Sequence, residues 1–99
     1  MIQGFEYTHE LAWKTMQDFF KGKGETKIMG SKDATRLAFK YEIIINGQVW
    51  MDMIDDRNLT SHTYNEDDTE KINKHIVEAY ADEFKKFEKT MARIKIDSP

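Results

Sequence analysis

Residues 36–55 read RLAFKYEIIINGQVWMDMID, and the fold turns on how they are taken. As strands, Leu37, Phe39, Tyr41, Ile43 and Ile45 alternate, and Asn46-Gly47 is a strong hairpin signal. As helices, Ala34, Leu37, Ala38, Tyr41 and Ile45 share one face, with Ser31 as a cap. Val49, Trp50, Met53 and Ile54 then share a second face, with Asn46 as a cap. Intrinsic propensity leans to strand at 43–45 and to helix on either side. Local pattern alone leaves the two readings even.

The flanks are plainer. Ile2, Phe5, His9, Ala12, Met16 and Phe19 recur at steps of three and four, which predicts a helix over about residues 2–21. Gly22-Lys23-Gly24 ends it, because glycine tolerates the left-handed backbone found past a helix C-terminus. Ile72, Ile76, Ala79, Phe84, Phe87, Met91 and Ile94 predict a second long helix over about residues 66–95. Asn65 can cap its start. Glu66, Asp67 and Asp68 suit the positive end of its dipole, and Lys89, Arg93 and Lys95 the negative end. With strands between them, these helices would give the α-β-β-β-α order of a double-stranded RNA-binding domain.

The bulk numbers exclude several classes. At 99 residues the chain is expected to form one domain, spanning 1–99, with one modest core and no deep cofactor cavity. Charged residues make up 33% and the net charge is −3, so any RNA contact must come from a local basic feature. There are no cysteines, which removes disulfides, thiolate metal sites and cysteine nucleophiles and fits a reducing compartment. No apolar run approaches the roughly 20 residues of a membrane span. The opening MIQGFEYTHE lacks the pattern of a secretory signal. A cytoplasmic protein is expected. His9, His62 and His75 are scattered along the chain, whereas a closed metal site needs about four converging ligands, so neither a metal nor a cofactor is expected.

Two stretches settle the ambiguity. IQGFEYTHELAWKTMQDFF (2–20) and VWMDMIDDRNLTSHTYNED (49–67) resemble the HEPN proteins described as nucleotidyltransferase substrate-binding proteins, partners of minimal nucleotidyltransferases. SKDATRLAFKYEII fits that family's connecting helix. The most specific element is Arg57, four residues, His62, one residue, Tyr64. The resemblance implies an all-α, antiparallel up-and-down helical bundle with helices at about 2–21, 31–44, 47–61 and 66–95. The hairpin is set aside. The lysine-rich motif of double-stranded RNA-binding domains is also not evident on the last helix. Family members usually carry another helix ahead of the first one here. Without it, part of the stripe carrying Phe5, Ala12 and Phe19 is expected to lie open and to be covered in a dimer or tetramer, for example by exchange of helices.

The resemblance also implies chemistry. HEPN ribonucleases cleave RNA without metal, and Arg57 and His62 match their motif, with Asn58 at a polar position that contacts phosphate. An imidazole can take a proton from a ribose 2′-hydroxyl or give one to the leaving oxygen. A guanidinium can hold two phosphate oxygens. On a regular helix, five residues put Arg57 and His62 roughly 140° apart; a loosened helix end would let His62 swing back toward the arginine, but a site doubled across a two-fold axis is expected. In HEPN toxin–antitoxin pairs the nucleotidyltransferase adds AMP to the motif tyrosine, here Tyr64. The alternative is a noncatalytic subunit that presents substrate to the nucleotidyltransferase. The plain readings are that Arg57 pairs with a nearby carboxylate such as Asp55 or Asp56, that His62 is a surface residue, that His9 is a hydrogen-bonded core residue, and that His75 faces the polar side of the last helix.

Overall fold

The structure, a computed structural model, describes residues 1–62 and 64–97. It is all-α, with no strand among the described residues. Helix α1 spans Ile2–Gly22, α2 Ser31–Lys40, α3 Gly47–Thr60, α4 Glu66–His75 and α5 Ala81–Asp97. A π-helical segment, Ile76–Tyr80, joins α4 to α5. Helix α3 runs antiparallel to α1, since Arg57 meets Glu6 and Trp50 meets His9. It also runs antiparallel to the last helix, since Asp56 meets Tyr80 and Trp50 meets Phe87. The short α2 is a connector packed on both α1 and α3.

The core follows the apolar stripes. Phe5, Met16 and Phe20 of α1, Ala34 and Ala38 of α2, Trp50 and Met53 of α3, Ile72 of α4, Tyr80 and Phe87 are all buried. Trp50 sits at its centre, meeting Phe84 and Phe87 edge-on at 5.6 and 5.5 Å. The expectation of an open stripe at Phe5, Ala12 and Phe19 is corrected. Phe5 stacks on Tyr80 at 5.2 Å, Ala12 is buried, and Phe19 packs against the core. The exposed apolar side chains of α1 are instead Tyr7 and Leu11.

Helix α1 ends as its glycines predict. Gly24 has φ +94°, its N–H bonds to Lys21 O, and the Glu25 N–H bonds to Phe20 O. Helix α2 ends in the same way four residues earlier than expected. Its cap is Tyr41, Glu42 takes φ +59°, and the Ile43 N–H reaches back to Ala38 O at 2.8 Å. That reversal turns Ile43 and Ile44 inward, where both are buried. The apolar run that looked like a strand is therefore a helix stop with its side chains folded under. Ser31 is the first residue of α2 rather than its cap, which is Gly30. Asn46 precedes α3 but does not cap it through its side chain, whose amide donates to Glu83 Oε2 at 2.8 Å.

Helix α4 starts on a reciprocal cap. The Asp68 N–H donates to Asn65 Oδ1 at 2.9 Å, and the Asn65 N–H donates to Asp68 Oδ2 at 3.3 Å. The expected single helix over 66–95 is interrupted by the π turn. The sequence carries a trace of it. Ile72, Ile76, Tyr80 and Phe84 recur at intervals of four, twelve residues in three turns, where an α-helix uses about eleven. All four face the core, so the helix widens to keep them there.

Candidate functional site

The end of α3 carries the motif. Arg57 lies on its last turn, and its side chain leans toward α1, where Nη1 sits 3.1 Å from Glu6 Oε2. Both side chains are about a third exposed. The Thr60 hydroxyl lies 3.2 Å from the same Glu6 oxygen and 2.8 Å from the Arg57 carbonyl oxygen, so one proton serves two acceptors. Arg57 Nε is buried without a hydrogen-bond partner among the described residues. The guanidinium is thus tethered at one nitrogen and held side-on to the bundle.

The helix then unwinds. The Ser61 N–H bonds to Asn58 O at 3.2 Å and the His62 N–H to Leu59 O at 3.1 Å, closing a tight last turn. The Ser61 hydroxyl also donates to Asn58 O at 2.7 Å. Asn58, His62 and Tyr64 are exposed, Tyr64 at 39%. The four motif residues share one end of the bundle, yet no hydrogen bond joins the Arg57 and His62 side chains among the described residues. Arg57 pairs with neither Asp55 nor Asp56 but with Glu6, far off in sequence, which the spacing of the motif gives no hint of.

Asp56 turns the other way. It is buried, and its Oδ2 accepts the Tyr80 hydroxyl at 2.6 Å and lies 2.7 Å from His75 Nδ1. Burial first, and then the Asp56 carboxylate, push the Tyr80 phenol above its ordinary pKa, so the hydroxyl stays a donor. His75 is therefore not on a free polar face. It is half-buried and tied to α3. Tyr80 closes the π segment, so this bond also fixes the segment against α3.

His9 is the third polar residue at the α1–α3 contact. It is 1% exposed, between Phe5 and Trp50, with ring centroids at 6.1 and 6.3 Å. The expectation that it is hydrogen-bonded is corrected. Neither ring nitrogen has a partner among the described residues. Burial lowers its pKa to about 4, and the Arg57 charge adds to that while Glu10 opposes it, so the ring is neutral at pH 7. Among the described residues no group of three or more His, Asp or Glu side chains converges closely enough to hold a metal ion. No helix among them is long and apolar enough to cross a membrane.

The match to known proteins covers nearly all of this architecture. A family model described as nucleotidyltransferase substrate binding protein like matches residues 1–93. The chain belongs to that family. This is the family expected from the likeness of residues 2–20 and 49–67, and the matched span holds Glu6, His9, Arg57, Asn58, His62 and Tyr64. A search for relatives among curated proteins finds no match. For a nucleotidyltransferase substrate binding-like protein, the polar end of α3 is the natural candidate for function. It gathers a tethered cation with an exposed imidazole, amide and phenol.

Proposed function

We propose that the chain is the HEPN-type partner of a minimal nucleotidyltransferase and acts as a metal-independent endoribonuclease, restrained by AMP added to Tyr64. The observation that carries this reading is the pairing of a fixed guanidinium, Arg57, with a solvent-facing imidazole, His62, at one end of α3. The description of the family supports the nucleotidyltransferase as partner.

In this mechanism His62 takes the proton of a ribose 2′-hydroxyl, and that oxygen attacks the adjacent phosphorus. The bond from phosphorus to the 5′-oxygen breaks, and the leaving oxygen takes a proton from a second imidazole. Arg57 binds the non-bridging oxygens as negative charge builds on them. One chain offers a single exposed motif histidine, so two chains meeting across a two-fold axis would supply base and acid together. Asn58 would hold phosphate beside them. Transfer of AMP to Tyr64 joins the phenol oxygen to the α-phosphorus of ATP, with pyrophosphate leaving and the phenol proton going to solvent. The added phosphate would compete for Arg57 and fill the cleft.

The test incubates the chain with RNA in EDTA, beside Arg57→Ala and His62→Ala. Either substitution should lower cleavage about 100-fold or more. Equal activity in all three would remove the site. The tether between Arg57 and Glu6 favours one second reading, a noncatalytic subunit that holds substrate for the nucleotidyltransferase, because it occupies part of the guanidinium. Wild-type protein that cleaves no RNA yet binds the nucleotidyltransferase would select that reading. Mass spectrometry after co-expression with the nucleotidyltransferase tests Tyr64, which should gain the mass of AMP.

A further inference from the structure

Buried polar groups elsewhere are mostly paired or isolated: Thr35 Oγ1 and Asn73 Oδ1 each stand without a hydrogen-bond partner among the described residues, but singly. Asp56 takes two hydrogen bonds, and Glu83 accepts from Asn46. The contact of α1 with α3 differs. Both nitrogens of His9, Nε of Arg57 and Nε1 of Trp50 are buried with no hydrogen-bond partner among the described residues. Each such group carries a desolvation cost that no hydrogen bond offsets. A residue needed at position 9 only for packing between Phe5 and Trp50 would be apolar. Departures of this kind gather where function requires them.

The four atoms are complementary. The Arg57 Nε–H and the Trp50 Nε1–H can only donate, whereas a neutral imidazole offers one donor and one bare acceptor nitrogen. Their placement also agrees. Glu6 and His9 are one turn apart on the same face of α1, and Glu6 holds Arg57. Trp50 and Arg57 are two turns apart on the same face of α3, and Trp50 faces His9. Because the helices are antiparallel, His9 lies along α3 between Arg57 and Trp50. The Arg57 charge acts on it there.

We propose that His9 is a positioning residue for Arg57: one ring nitrogen accepts the guanidinium Nε–H, after a small turn of the arginine or across one bridging water, and so aims the outer N–H groups at an anion. The inference rests on the reading of Arg57 as the anion-holding group. Glu6 fixes the guanidinium at Nη1 and His9 fixes it at Nε. Two anchors define the plane of the fork, which one anchor cannot do.

Nitrogen-15 NMR of the full chain tests it without RNA. The Arg57 Nε–H signal, assigned by its loss in Arg57→Lys, should exchange with water more slowly than those of the exposed Arg36 and Arg93. In His9→Phe the exchange should quicken about fivefold, the worth of one hydrogen bond. His9→Gln, whose side-chain carbonyl accepts, should restore the protection. Inorganic phosphate should bind about fivefold more weakly to His9→Phe. Unchanged Arg57 protection in His9→Phe, or a change confined to the Trp50 indole, overturns the proposal. If His9→Phe does not fold, the wild-type His9 nitrogens decide. One protonated and one hydrogen-bonded bare nitrogen support the proposal, and two nitrogens exchanging as free tautomers overturn it. A chain with the NMR signature and no RNA cleavage would sink the ribonuclease reading and leave this one standing.

Discussion

Glu6 reaches from α1 to Arg57 on α3, setting one carboxylate oxygen 3.1 Å from Nη1 and 3.2 Å from the Thr60 hydroxyl. A partly exposed pair of this kind contributes little to stability, at most about 1 kcal/mol. Its effect is on the arginine. Glu6→Gln should lower the unfolding free energy by no more than that amount, and it should tighten binding of a nucleoside monophosphate severalfold, because a negative charge leaves the side of the anion. The glutamine carbonyl can still accept from Nη1, so the anchor stays while the charge goes; calorimetric titration of the two proteins checks this, and weaker binding to the variant would show that the anchor needs the charge.

Tyr80→Phe removes the hydroxyl from a buried carboxylate and keeps the ring. Asp56 would be left with His75. The loss should be about 1–2 kcal/mol, the usual range for a hydrogen bond to a charged group. For a domain of this size each kcal/mol lowers Tm by roughly 4–8 °C. Asp56→Ala should cost more than Tyr80→Phe, since it leaves both partners unpaired. Thermal unfolding followed by circular dichroism gives both values.

Burial holds the pKa of His9 at about 4, against 6.5 for a free imidazole, with Glu10 opposing and Arg57 reinforcing the shift. Between those two values the unfolded chain binds a proton that the folded chain does not. Stability from this group is therefore complete above about pH 6.5 and is lost as pH falls toward 4, by on the order of 3 kcal/mol in all. Denaturant melts at pH 7 and pH 4.5 should show the drop. His9→Phe should remove this part of it and leave the share due to carboxylates.

Glu42 sits at φ +59°, a left-handed conformation that costs a non-glycine residue about 1 kcal/mol. Its side chain is exposed. Glu42→Gly should raise stability by about that much, and Tm by roughly 4–8 °C. An unchanged Tm would mean that the extra freedom of glycine in the unfolded chain cancels the relief.

The sequence shows these features unevenly. The stripe from Phe5 to Phe19, the Gly22-Lys23-Gly24 stop and the Asn65 cap are each local, decided by residues within a turn or two, and they can be read directly. The end of α2 was hidden because Glu42 takes a backbone shape that usually signals glycine, and Ile43 and Ile44 continue an apolar run. The motif at Arg57, Asn58, His62 and Tyr64 stood out only through its family resemblance. Its supports did not stand out at all. Glu6 lies on another helix, and Asp56 meets His75 and Tyr80 at separations of 19 and 24 residues. Pairings between helices depend on how faces rotate once packed, and no periodicity along one chain records that. His9 was legible as buried, but not as lacking a partner.

The π segment Ile76–Tyr80 has a consequence for engineering. It amounts to a single surplus residue absorbed within a continuous rod, so removing one amino acid from this stretch should let it tighten to ordinary α geometry while Phe87 stays against Trp50. The same deletion a few positions further on would swing every later side chain by about 100° and tear the aromatic cluster apart. Linker grafts and length variants of this scaffold therefore have one forgiving seam, and it lies beside the tyrosine that Asp56 holds.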